Sequence, residues 1–273
     1  MELKTVKLLN HFYLYCALFY ANNASMDYSE EIAELKQKIV AVLENTNVPK
    51  LDMPLHTYHY LMGLYNPEGY EAYGTIQNPI HEVLDYVAML ANIPGLHDIF
   101  KEYENTLDEK LKAYENKFVY IQEYFKNHFD FEPAINKFLI TRNWDSSGKC
   151  IKTKSEYIIF VGWIPTGLNS NQIMHEILHA YMHECVLQIP TNLQTYIEGA
   201  ERAFRSYHNE DTIVEESIVR ALVVYLDRLD GEKFGFSLSK NDMDMKLPKM
   251  YLGVLEKDRI SRFSKNYLSK LKV

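Results

Sequence analysis

Apolar residues recur at helical spacing along most of the chain, and this pattern predicts a predominantly helical protein. The clearest amphipathic segment covers residues 29–43, where acidic residues come early and lysines follow. The same spacing predicts helices over residues 3–20, 54–64, 79–92, 96–129 (as one or two helices), about 171–187, 193–207, 212–229 and 248–271.

The period of the pattern changes near residue 136. Two short segments, 136–143 and 156–163, are rich in β-branched and aromatic residues, and Asp145-Ser-Ser-Gly148 between them is a turn signal. We therefore expect an antiparallel pair of strands and an α+β fold with a small antiparallel sheet. Glu132-Pro133 marks a soft boundary between a helical N-terminal lobe, 1–133, and a second region, 134–273, with one continuous domain as the alternative.

Composition narrows the choice of partners. The chain has 273 residues and a formal net charge of −8, with no sustained run of Lys or Arg, which argues against a nucleic-acid partner. Three widely spaced cysteines indicate reduced thiols and a cytoplasmic protein. The apolar N-terminus faintly resembles a signal peptide, so secretion stays an alternative, but Asn10 and His11 interrupt it. No apolar run is long enough to predict a membrane span.

Candidate chemistry is concentrated in the predicted helix around residue 175. His175, Glu176 and His179 spell H-E-x-x-H, and residues four apart on a helix lie one turn apart on the same face. Both imidazoles can therefore reach a single metal ion, while Glu176 lies near enough to act on a bound water. This pattern predicts a site for one zinc ion.

A catalytic zinc site needs a third protein ligand. The extended pattern H-E-x-x-H-x-x-G-x-x-H fails, because Met182 and Cys185 stand where it requires Gly and His. Cys185 and His183 lie farther along the same helix, and a straight helix cannot wrap three such ligands around one ion. A glutamate from a later helix is the remaining common solution.

The predicted helix 212–229 offers two adjacent glutamates. It is so apolar that it must be largely buried, and Glu216 aligns with Arg220 one turn later. A carboxylate embedded there needs a metal ion, a cation or both, which favours Glu216 as the third ligand. Two alternatives stay open: Glu215 as the ligand, and a Glu216–Arg220 ion pair without a metal.

His175-Glu176-x-x-His179 followed by Glu216 on a second helix resembles the gluzincin type of zinc metallopeptidase. Glu216-Ser-Ile-Val-Arg-Ala221 also resembles the third-ligand helix of uncharacterised bacterial zincin-like domains, and the likeness covers roughly residues 136–229. It implies a zincin-like catalytic region. The sequence departs from the best-known gluzincins at Arg220, which replaces the acid that orients a ligand histidine, so Arg220 is expected to contact a ligand in a different arrangement.

The resemblance also implies a substrate site and a mechanism. In gluzincins the strand before the motif helix pairs with an extended peptide, which assigns that role to Ile158, Phe160 and Gly162. Glu176 would act as general base, and Tyr207 or His208 would stabilise the negative charge that develops on the carbonyl. The expected partner is a peptide or protein substrate.

Two other functions stay open. One is a non-catalytic zinc-binding module that regulates or binds a partner. The other is a helical interaction protein in which H-E-x-x-H arose by coincidence.

Overall fold

The structure, a computed structural model, describes residues 9–20, 30–51, 78–104, 108–141, 148–152, 157–162, 170–197, 209–231, 234, 236–238 and 246–273. The expectation of a predominantly helical protein is confirmed. The helices are α1 (Leu9–Tyr20), α2 (Glu30–Asn45), α3 (Asn78–Leu90), α4 (Pro94–Glu104), α5 (Asp108–His128), α6 (Ser170–Met182), α7 (Leu193–Ile197), α8 (Glu210–Leu229), α9 (Lys246–Asp258) and α10 (Lys265–Leu268). The helix predicted over 54–64 lies outside the described residues. Within these ranges, no helix combines the length and the apolar character that crossing a membrane requires.

The first four helices share one apolar core. Most of the described side chains of α1 are buried, including Leu14 and Cys16, and they pack with residues of α2, α3 and α4 such as Leu35, Val87 and Leu96. The long predicted segment 96–129 is two helices, α4 and α5.

A second core is built around α5, α6, α8 and α9. Its centre holds aromatic rings in tilted contact: the ring centroid of Phe129 lies 4.3 Å from that of Tyr181 and 5.4 Å from that of Phe263. The apolar face of α5 belongs to this second core, together with the helices that follow residue 133. The division of the chain into two regions at that residue stays a prediction.

The sheet differs from the predicted antiparallel pair. It has three strands, β1 (Ile135–Thr141), β2 (Gly148–Lys152) and β3 (Tyr157–Gly162), in the order β1-β3-β2. β1 pairs with β3 in parallel, and β2 pairs with β3 antiparallel. The predicted antiparallel pairing of the first and last strands is therefore wrong. The stretch expected to be only a connection contains β2, which takes the antiparallel place beside β3 and leaves the other edge to β1.

Two differences from the predicted helices have local causes. α6 ends at Met182 rather than near residue 187, and the last predicted helix is interrupted between α9 and α10. Arg259 takes a positive φ of 52° after α9, and Ser264 then caps α10 by accepting a hydrogen bond from Tyr267 N. These caps divide one continuous apolar pattern into two helices.

Candidate metal centre

Helix α6 and the residue just after it carry three histidines aligned along one side, here called the histidine row. His175, His179 and His183 are spaced four residues apart, the last just beyond the helix end, so all three lie along one side of the helix. The other sides of α6 are apolar and completely buried at positions such as Met174 and Leu178. Burial of these residues in the second core orients the histidine row towards α8.

Helix α8 supplies the facing carboxylates. Asn209 caps its first turn by accepting a 2.7 Å hydrogen bond from Thr212 N, which starts the helix two residues before the predicted position. Nearly every later side chain is buried, and Glu216 is only 7% exposed. Glu215 and Glu216 both point at the histidine row.

His175, His179 and Glu216 converge as the sequence predicted. The Nε2 atoms of the two histidines are 3.1 Å apart, and they lie 3.3 Å and 3.2 Å from the two carboxylate oxygens of Glu216. Four-coordinate zinc with bonds of about 2.0–2.2 Å has its donor atoms about 3.3–3.5 Å apart. Two imidazole nitrogens and a carboxylate at these separations fit one zinc ion after adjustments of a few tenths of an ångström.

Arg220 contacts the carboxylate of Glu216 from the same helix. Its Nε and one terminal nitrogen each lie 2.8 Å from Glu216 Oε1. The predicted alignment of the two residues is therefore confirmed. Arg220 contacts a candidate ligand, Glu216. The guanidinium neutralises part of the buried charge and fixes the orientation of the carboxylate.

Glu215 contacts two of the three histidines. Its Oε1 lies 2.5 Å from His179 Nδ1 and 3.0 Å from His183 Nε2. Since a carboxylate oxygen only accepts, both histidine nitrogens carry the protons of these bonds. His175, Glu216, His179, Glu215 and His183 thus form one row in which carboxylates alternate with imidazoles.

Two groups in this row have the composition of a metal site: His175, His179 and Glu216, and His179, His183 and Glu215. Both groups include His179. In the second group the short His179–Glu215 contact has the geometry of a charge-assisted hydrogen bond. A metal ion bound there through Nδ1 would displace the proton of this bond and remove the hydrogen bond to Glu215. The chemistry of the donors therefore favours the first group as the metal site and Glu215 as the residue that orients His179.

The alternation of imidazoles and carboxylates shifts the pKa values of His179, Glu215 and Glu216. Burial alone would lower the pKa of His179, but hydrogen bonds to Glu215 and Glu216 raise it to about 10. Burial raises the pKa of Glu215, yet hydrogen bonds from His179 and His183 lower it to about 2. Glu216 follows the same pattern, its pKa held well below the ordinary value by His175 and His179 against burial. The carboxylates are therefore ionised at neutral pH.

Glu176 lies beside this row, against strand β2. Its side chain is 6% exposed, and burial raises its pKa despite the nearby histidines. The backbone N–H of Cys150 donates a hydrogen bond to its carboxylate. The predicted general base is thus held between α6 and the sheet.

The structure corrects the predicted substrate strand. Ile158, Phe160 and Gly162 lie on β3, which is hydrogen-bonded on both sides, to β1 and to β2. A central strand has no free backbone groups to pair with a peptide, so the assignment of an edge to these residues is wrong. The strand that approaches α6 from a sheet edge is β2 instead.

Tyr207 and His208, the predicted donors to the developing charge, lie outside the described residues. Cys185 is described, and its thiol donates a 3.5 Å hydrogen bond to the Tyr181 carbonyl oxygen. The contact of Glu215 with His179 and His183 was not predicted from the sequence. Its signal was the repeated spacing of three histidines, His175, His179 and His183, together with two adjacent glutamates on a later helix.

Comparisons with models of protein families, with curated proteins and with solved structures found no match to this chain. The candidate function therefore depends on the chemistry of the site itself.

Proposed function

We propose that this protein is a zinc-dependent metallopeptidase with a zincin-like catalytic region. One observation carries the proposal: His175, His179 and Glu216 converge from two buried helices, and the buried carboxylate of Glu176 lies beside them. Polar groups buried in this way are costly to the fold unless they are paired or bound to an ion. The presence of several such groups at one place therefore supports a catalytic metal site.

One zinc ion would be held by His175 Nε2, His179 Nε2 and the Glu216 carboxylate. A catalytic zinc ion is a Lewis acid that lowers the pKa of water and polarises a carbonyl group. Arg220 and Glu215 then act on the ligands. Arg220 orients the Glu216 carboxylate, and Glu215 accepts a hydrogen bond from His179 Nδ1 and so directs the Nε2 atom of His179 at the site.

Glu176 is the proposed general base. Burial raises the pKa of its carboxyl group, which makes the ionised form a better proton acceptor than an exposed glutamate. It would accept the proton of the attacking water and pass it to the leaving amine. Cys150 N–H keeps the carboxylate next to the site while this happens.

The sheet supports a peptide substrate. β2 lies antiparallel at one edge of the described sheet, and it packs on the motif helix α6. An extended peptide adds to such an edge through main-chain hydrogen bonds, here to groups other than the Cys150 N–H, which binds Glu176. In this proposal β2, rather than β3, is the strand that pairs with the peptide, and α6 and α8 complete the site.

The decisive experiment compares wild type with Glu176→Gln after both are stripped by a chelator and reloaded with zinc. Both should bind one equivalent of zinc, and cleavage of a broad peptide library should fall by at least about 10²–10⁴-fold in the variant. Equal cleavage by both proteins would assign the activity to a contaminant. Full zinc loading without any cleavage by wild type would favour the non-catalytic zinc-binding module.

A further inference from the structure

Gly148, the first residue of β2, lies in direct contact with the proposed general base. A Cβ atom placed on Gly148 would lie 2.5 Å from Glu176 Cγ, 2.7 Å from its Oε1 and 2.8 Å from its Cδ. Carbon atoms in van der Waals contact are about 3.5–4.0 Å apart, so no side chain fits at this position while Glu176 keeps its place. The three nearest obstacles all belong to this one side chain.

The same strand also donates a hydrogen bond to Glu176. Residues two apart on a strand direct their side chains and their backbone groups in the same directions, so Gly148 and Cys150 present equivalent surfaces to α6. The Cys150 N–H binds the carboxylate, while the bare Cα of Gly148 leaves room for it. Glycine inside a strand weakens pairing, and it is typical of places where another group approaches closely.

We propose that Gly148 is a positioning residue: its missing side chain forms the space that holds the Glu176 carboxylate between β2 and the metal ligands. The role of that carboxylate in hydrolysis rests on the proposed function, whereas its location does not. Any residue with a Cβ at position 148 displaces the carboxylate from the Cys150 N–H, because α6 is fixed by its buried apolar residues.

The first test is a double-mutant cycle on thermal stability, which requires neither metal nor substrate. Gly148→Ala should lower the Tm of the wild-type protein by about 3–8 °C, as expected for overpacking of a tight contact. Glu176→Ala removes all three nearest atoms, so adding Gly148→Ala in that background should change the Tm by less than about 2 °C.

Gly253→Ala is the matched control, since a Cβ at Gly253 meets nothing within 4 Å. Its position inside helix α9 predicts a Tm that is unchanged or about 2–4 °C higher. An equal loss of Tm from Gly148→Ala in both backgrounds would overturn the inference. If Gly148→Ala alone does not fold, the Glu176→Ala double variant must fold, and failure of both would also overturn it.

The second test is kinetic and uses the zinc-loaded enzyme. Gly148→Ala should keep one equivalent of zinc and a KM within about threefold of wild type, while kcat falls by about 10²-fold because the base is misplaced. In the Glu176→Gln background the same substitution should cause no further loss. A further loss of similar size there would show that Gly148 acts through another group. Thermal coupling without activity in wild type would refute the proposed peptidase and leave the contact intact.

Discussion

Glu215 Oε1 lies 2.5 Å from His179 Nδ1, on the side of the imidazole ring opposite to the nitrogen that faces Glu216. One histidine thus joins two glutamates that are adjacent in sequence. The arrangement fixes the tautomer of His179 and leaves Nε2 as the atom available to a metal ion. Glu215 is therefore the carboxylate that orients His179 in this structure.

Removing Glu215 should weaken metal binding without abolishing it. In Glu215→Ala, His179 loses the acceptor of its Nδ1 proton, so zinc affinity should fall by about 10–100-fold, as for other carboxylates that orient a ligand histidine. Competition with a chromophoric chelator measures the change. Glu123→Ala is the control, since Glu123 is exposed and pairs with Lys126 on α5. An affinity equal to that of wild type would contradict the orienting role.

Removing His183 should leave the number of bound ions unchanged. His183 donates to Glu215 but contributes nothing to the group formed by His175, His179 and Glu216. We expect His183→Ala to bind one zinc ion per chain, with an affinity within about tenfold of wild type. A wild-type stoichiometry of two ions that falls to one in this variant would instead establish the second group as a metal site.

Zinc affinity should rise with pH. The pKa of His179 is raised to about 10 by Glu215 and Glu216 against the effect of burial, so in the absence of metal its Nε2 is protonated at neutral pH. Zinc must displace that proton, which predicts an affinity that increases by about tenfold per pH unit between pH 6 and 8. Calorimetric titrations corrected for buffer ionisation would measure this. An affinity independent of pH would contradict proton displacement.

The stability of the chelator-treated protein should change with pH in the opposite sense. A raised pKa of about 10 against an ordinary 6.5 means that His179 stabilises the fold fully below pH 6.5 and progressively less towards pH 10. Glu215, with its pKa lowered to about 2 from 4.5, stabilises above pH 4.5 and loses this contribution as the pH falls through 2. Tm should therefore be highest between about pH 4.5 and 6.5. A Tm that rises steadily from pH 6.5 to 10 would contradict this coupling.

Asp227 should be important for the end of α8. Its buried carboxylate accepts hydrogen bonds from Phe234 N at 2.6 Å and Phe236 N at 2.5 Å, which fold the following chain back onto the helix. Asp227→Asn replaces an acceptor with an amide donor, and the free energy of unfolding should fall by about 1–3 kcal/mol in urea titrations. Asp85, which is exposed, provides a control, because Asp85→Asn should change the free energy of unfolding by less than about 0.5 kcal/mol. Equal effects of the two substitutions would rule out this role for Asp227.

The sequence predicted the positions of α6 and α8, apart from the end of α6, because both combine strong apolar periodicity with polar residues that such helices rarely bury. It did not predict β2, since Gly-Lys-Cys-Ile-Lys is short, begins with glycine and alternates with lysines. The parallel pairing of β1 and β3 depends on contacts between distant segments, which a local pattern does not contain. Glu215 and Glu216 could not be separated in role, because adjacent helical positions both reach a partner when the facing helix carries histidines on successive turns.

Anomalous scattering at the zinc absorption edge, from crystals grown with zinc, tests the metal centre most directly. We predict one peak per chain, enclosed by His175 Nε2, His179 Nε2 and the Glu216 carboxylate, and its loss in His175→Ala. A peak between His183 and Glu215, or no peak beside Glu216 in zinc-saturated crystals, would contradict it.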